Sequence, residues 1–169
     1  MKKTNTNKIL ILLSNLAVII GIFCMFAAAF NEDGGSVRGS VFQVMAPLSE
    51  TGYHLVVPLV IGLTILLLSV VLGFLSLVLD NKKLKFAAGV LIVLDLAGAV
   101  LFFLTPTFYM AANPQIGDLD LTGATSLGAG PICVGVFTIL GALLSLISIV
   151  LKGSDTTSQP VKGGIRRAR

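Results

Sequence analysis

The chain has no tryptophan, a single histidine (His54) and two cysteines (Cys24 and Cys133) in 169 residues. One histidine without a placed nucleophile makes no nucleophilic triad, and two cysteines supply neither a disulfide scaffold nor a full zinc ligand set. Charge is scarce as well: Asp, Glu, Lys and Arg make up 12% of the chain, too little to cover a soluble globule. No phosphate loop, dinucleotide fingerprint or metal-ligand cluster occurs, so neither a cofactor nor a metal is expected. Apolar residues, by contrast, make up 55% of the sequence, and mean hydropathy is +0.97. This is the composition of an integral membrane protein.

A hydrocarbon core of roughly 30 Å needs about 20 apolar residues at helical rise. Four stretches qualify: residues 9–30, 55–79, 86–104 and 131–151, uncharged except for Asp95 in the third. They are expected to be helices, TM1 to TM4, because in lipid each backbone N–H and C=O must find its partner inside the segment. Barrel strands would be about half as long and would alternate in polarity, which these do not. The fold class is therefore all-α integral membrane: a four-transmembrane-helix bundle within residues 1–153, with a basic, disordered tail over 154–169. A cleaved signal peptide is a rival for TM1, since Lys2, Lys3 and Lys8 precede a run ending in Ala27-Ala28-Ala29. The run from Ile9 exceeds the usual apolar region of about 7 to 15 residues, so a retained anchor is expected. A lipoprotein role for Cys24 fails because bulky Phe23 stands where a small residue is needed.

Charge sets the expected orientation. The N-terminus, the 80–85 connection and the tail hold eleven basic residues (Lys2, Lys3, Lys8, Lys82, Lys83, Lys85, Lys152, Lys162, Arg166, Arg167, Arg169) against Asp80 and Asp155. Connections 31–54 and 105–130 hold Glu32, Asp33, Glu50, Asp118 and Asp120 against Arg38 alone. Lysine and arginine excess marks the cytoplasmic side, which predicts a multi-pass protein of the cell (plasma) membrane with both termini cytoplasmic. This bias accounts for the net charge of +4 without a nucleic-acid partner, and the basic-aromatic interleaving of single-strand binders is missing.

The two halves resemble each other. Asn15-Leu16-Ala17 aligns with Asp95-Leu96-Ala97, and Pro58 with Gly62 aligns with Pro131 with Gly135. Each unit is a two-helix hairpin entering the membrane the same way, so a symmetry axis would run along the membrane normal. Helices in lipid associate through small residues spaced four apart. Ala17 and Gly21, Ser69 and Gly73, Gly98 beside Asp95, and Gly141 and Ser145 are the expected packing positions.

Asp95 is the residue with an obvious cost. It lies about 13 Å inside TM3, where an ionised carboxylate costs at least about 2.5 to 3.5 kcal/mol, and no span carries a Lys or Arg to pair with it. The protonated acid is the expected form. Ser69 falls at nearly the same depth and is its expected partner; Asn15 and Ser145 lie about one turn nearer the cytoplasm. One role for Asp95 is a proton or cation relay. The other is an interhelical hydrogen bond that sets packing, favoured because a relay needs a second titratable group.

In the outer connections, Val41–Met45 reads as a short strand and Ile116–Gly123 as another, with Asp118 and Asp120 alternating with Leu119 and Leu121. Pairing of the two would make a small β cap. The aspartates lack the downstream Glu of a calcium loop. Tyr53, Phe108 and Tyr109 read as interfacial anchors, and Pro106 as the residue that ends TM3. Cys24 is placed about 9 Å and Cys133 about 3 Å below the outer edge, so no disulfide is expected between them.

The Lys-flanked TM1, larger first outer loop, Lys-rich turn, Phe102-Phe103-Leu104-Thr105-Pro106 segment and Leu127-Gly128-Ala129-Gly130 entry to TM4 together resemble small, uncharacterised four-span membrane proteins of Gram-positive bacteria. In topology alone the chain is also similar to claudin-type tetraspans, whose first outer loop bears strands. It lacks their Trp-Cys-Cys signature, having no Trp and no loop Cys, so barrier function does not carry over. The expected function is a non-enzymatic interaction, assembly or accessory subunit acting through its outer loops. Its expected partners are the lipid bilayer and either a second copy or another membrane protein. The alternative is a small transporter or channel subunit using intramembrane Asp95.

Overall fold

The computed structural model describes residues 6–31, 37–46, 54–113 and 126–151. Its elements in chain order are α1 (Thr6–Phe23), a 3-10 turn (Cys24–Phe26), β1 (Ala28–Asn31), β2 (Val37–Ser40), α2 (Val41–Met45), α3 (Val57–Ser76), α4 (Asn81–Phe103), α5 (Thr105–Ala112), β3 (Ser126–Leu127) and α6 (Ala129–Val150). The fold is mostly helical. Four segments, Thr6–Phe26, Val57–Ser76, Lys83–Phe103 and Ala129–Val150, are long and apolar enough to cross a membrane.

The four long helices form an antiparallel bundle in which α6 packs on α1 and α4, and α3 on α4 and α1. Side chains fix the registers. Ser14 lies level with Gly141 and Ser145, Asn15 with Val70, and Ser69 with Asp95. Residue distribution runs opposite to that of a soluble protein. Gly, Ala, Ser, Thr and Asn crowd the interior of α1 and α6, whereas Leu, Ile, Val and Phe are exposed along the outer faces of all four helices. Such an exterior suits lipid, and such an interior lets backbones approach.

Glycines are where that approach is closest. A Cβ at Gly98 would collide with the Leu66 side chain, one at Gly73 with the Asn15 amide, and one at Gly135 with the Phe103 ring. At Gly62 it would come within 3.3 Å of both Leu101 and Phe102. The two halves thus place α1 diagonally from α4, and α3 from α6, as an axis along the bundle would require. The contacts themselves do not repeat, because Gly62 and Gly135, equivalent in sequence, both receive side chains of α4.

At the end where α1 finishes, the apolar run does not stay helical. Ala27 is extended (φ −80°, ψ 170°), and residues expected to complete TM1 instead form β1. This strand is central in a three-stranded antiparallel sheet of order β2-β1-β3, with Phe30 opposite Arg38 on one side and Leu127 on the other. A short apolar segment has no period long enough to separate helix from strand; here remote backbone partners decide. Gly39, the penultimate residue of β2, has φ +50°, a conformation open to glycine, just before the chain enters α2.

The expected strand at Val41–Met45 is also corrected: it is α2. Ser40 and Gln43 form a capping box, the Ser40 hydroxyl accepting from Gln43 N–H and the Gln43 side chain from Ser40 N–H. Such a box starts a helix. The Ile116–Gly123 strand, Tyr53 and the 154–169 tail lie outside the described residues. Pro106 does follow the end of α4, and it also starts α5, since its missing N–H is no loss in a first turn. Tyr109 is not an interfacial anchor: it is buried, its ring 5.1 Å from that of Phe30.

Two glycines of α4 make a paired test. Gly98→Ala is expected to lower stability by about 1–3 kcal/mol through overpacking against Leu66. Gly89→Ala, where a Cβ meets nothing within 4 Å, is expected to be neutral or mildly stabilising. Denaturation in mixed micelles measures both, and equal effects would contradict the packing of α3 on α4.

Candidate functional site

A polar layer crosses the middle of the bundle, and each long helix contributes to it. From α1 come Ser14 and Asn15, from α3 Ser69, from α4 Asp95 and from α6 Ser145, all buried. They sit there because the helices bring small residues inward, where polar side chains can bond between helices.

Asp95 is 1% exposed. Its Oδ1 accepts a hydrogen bond from Ser69 Oγ at 2.6 Å. Its Oδ2 is buried and has no hydrogen-bond partner among the described residues. That oxygen points at α6, where an ideal Cβ on Gly141 would stand 3.3 Å from it. Gly141 therefore makes room for the carboxyl group. The Gly141 carbonyl is already occupied, accepting from Ser14 Oγ at 2.8 Å, and Ser14 Oγ also lies 2.9 Å from Ser145 Oγ.

Asn15 stands apart from this cluster. Its Nδ2 donates to the Val70 carbonyl at 3.2 Å, and its amide fills the space over Gly73. Asn15 and Asp95, equivalent in the sequence repeat, are thus both on the central layer yet bond different partners. Of the expected packing positions, Gly21 sits against Val134 and Phe137 of α6, Gly73 against α1, Gly98 against α3 and Gly141 against α1 and α4. Ala17 is buried.

Two features escape a reading of composition and spacing. Ser14 bridges α1 to α6 with two contacts, signalled in the sequence only by its adjacency to Asn15. Asn113, fully buried, accepts from His54 N–H at 2.7 Å through Oδ1 and donates to the Tyr109 carbonyl at 3.0 Å, tying the end of α5 to the entry of α3. A correction concerns the cysteines. Because TM1 leaves the helix after Phe26, Cys24 lies nearer the end of the bundle than a span reaching Phe30 implies, and the packing of Gly21 on Val134 and of Gly130 on Ala27 puts it at the level of Cys133.

Chemically, the layer combines one carboxyl group with neutral hydroxyls and an amide. A carboxyl group with one oxygen engaged and the other orphaned has room for one further partner, such as a water, a proton or a small cation. No group of three or more His, Cys, Asp or Glu capable of holding a metal occurs among the described residues.

Removing the Ser69 hydroxyl leaves both Asp95 oxygens without a donor. Ser69→Ala is expected to cost about 0.6 to 1.7 kcal/mol, the average and the upper end measured for interhelical hydrogen bonds in lipid. A double-mutant cycle with Asp95→Ala isolates the pair, and a coupling near zero would remove it as a packing element. Comparison with known proteins finds no matching family model, no matching curated protein and no matching solved structure.

Proposed function

We propose that this chain is a non-enzymatic plasma-membrane protein with both termini cytoplasmic, acting as an interaction, assembly or accessory subunit through its outer end. The observation that carries this is the sheet: β1 pairs with β2 on one side and with β3, which immediately precedes α6, on the other. Segments from both outer connections therefore form a single backbone-bonded unit at the end away from Lys83 and Lys85. A sheet that joins both connections over a closely packed bundle suits recognition of a second copy or another membrane protein. The lysine asymmetry supports the same orientation.

A second function is supported by the orphaned Asp95 Oδ2: a small transporter or channel subunit in which that oxygen carries a proton or cation. The two are separated by reconstitution. In liposomes the purified protein is expected to give no Asp95-dependent proton or cation flux, while cross-linking across the outer end in native membranes is expected to yield a discrete oligomer or heteromer. Flux abolished by Asp95→Asn would establish transport instead. A strictly monomeric chain with no cross-linked partner would count against the interaction role.

A further inference from the structure

Cys24 and Cys133 are the chain's two cysteines, both free and half-buried. Their juxtaposition follows from how α1 meets α6. Gly21 lies against Val134 and Phe137. Further toward the sheet, an ideal Cβ on Gly130 would stand 2.8 Å from the Ala27 carbonyl oxygen. Cys24 is midway between Gly21 and Ala27, and Cys133 falls between Gly130 and Val134, so the same antiparallel register sets the two cysteines opposite each other. Their backbones are anchored: Ala27 N–H donates to the Cys24 carbonyl at 2.9 Å, while Cys133 is in the first turns of α6.

We propose that Cys24 and Cys133 form a reversible intramolecular disulfide that clamps the end of the first span, where it becomes β1, to the start of the last. Two S–H bonds are lost and one S–S bond forms. The two electrons and two protons pass to the disulfide of a thiol–disulfide oxidoreductase, which leaves as a dithiol. Such oxidants act outside the cytosol, so formation in cells rests on the outward orientation proposed above for this end; the pairing itself does not. The closed loop spans most of the bundle, which makes the constraint on the unfolded chain large. With both thiols free the β1 end of α1 is already packed on α6 and paired with β3, so oxidation would lock an existing contact covalently and reduction would remove only that lock.

The test uses the full chain in detergent micelles, oxidised with copper-phenanthroline and then labelled with maleimide. Oxidation is expected to lower the monomer mass by two hydrogens, abolish labelling at both cysteines, and raise the thermal midpoint by roughly 5 °C or more. Peptide mapping should join the Cys24 and Cys133 peptides. Cys24→Ser and Cys133→Ser, close in size to the native residues, should each eliminate the cross-link and the midpoint shift. Persistent labelling of both thiols after oxidation, or disulfides formed only between chains, would overturn the proposal. Acid-trapped cells then test the compartment. An oxidised pair there supports both pairing and orientation, whereas free thiols in cells alongside ready oxidation in micelles would uphold the pairing and overturn the outward placement.

Discussion

Lipid tails surround an apolar side chain as comfortably as a neighbouring helix does, so burial of leucine gives this bundle no reason to assemble. What holds the helices together is the distance at which their backbones meet. That distance is set by Gly21, Gly73, Gly98 and Gly141, each of which receives a side chain or backbone of another helix where a Cβ would stand. The large aliphatics, displaced outward, become the lipid-facing coat.

The polar layer follows from the same constraint. A hydroxyl on the small-residue stripe bonds either across the bundle or back to its own helix, as Thr138 and Ser148 do, whereas an accepting carboxyl oxygen gains nothing from a backbone carbonyl and depends on donors from neighbouring helices. Ser14, Ser69 and Ser145 find partners. Asp95 finds one for a single oxygen, and the other faces the gap left by Gly141. An unpaired buried oxygen is expensive enough that its position marks where the layer is either strained or used.

The sheet end obeys a different rule. There the chain leaves the span, intrahelical bonding is no longer the sole way to satisfy the backbone, and strands pair. Phe30 and Tyr109 pack together beneath this region, joining β1 to α5. Asn113 bonds α5 to the start of α3. Segments distant in sequence are thereby tied into one end of the molecule.

Much of the fold was legible in the sequence because the bilayer imposes length and composition on each span. Four apolar runs, the small-residue stripes and the depth match between Ser69 and Asp95 all follow from a rise of about 1.5 Å per residue and a slab of roughly 30 Å. The helix at Val41–Met45 was not legible: it reads as a strand, because a five-residue apolar segment has no period that separates the two and the reciprocal Ser40–Gln43 cap goes unrecognised. Tertiary structure alone decided the rest. Ala28–Phe30 is as apolar as the helix before it, and only pairing with β2 and β3 makes it a strand. The meeting of Cys24 and Cys133, the choice of Val70 rather than Asp95 as the partner of Asn15, and the orphaning of Asp95 Oδ2 depend on helix register and rotation. Hydropathy measures how deep a residue lies, whereas partners are chosen by which way it faces.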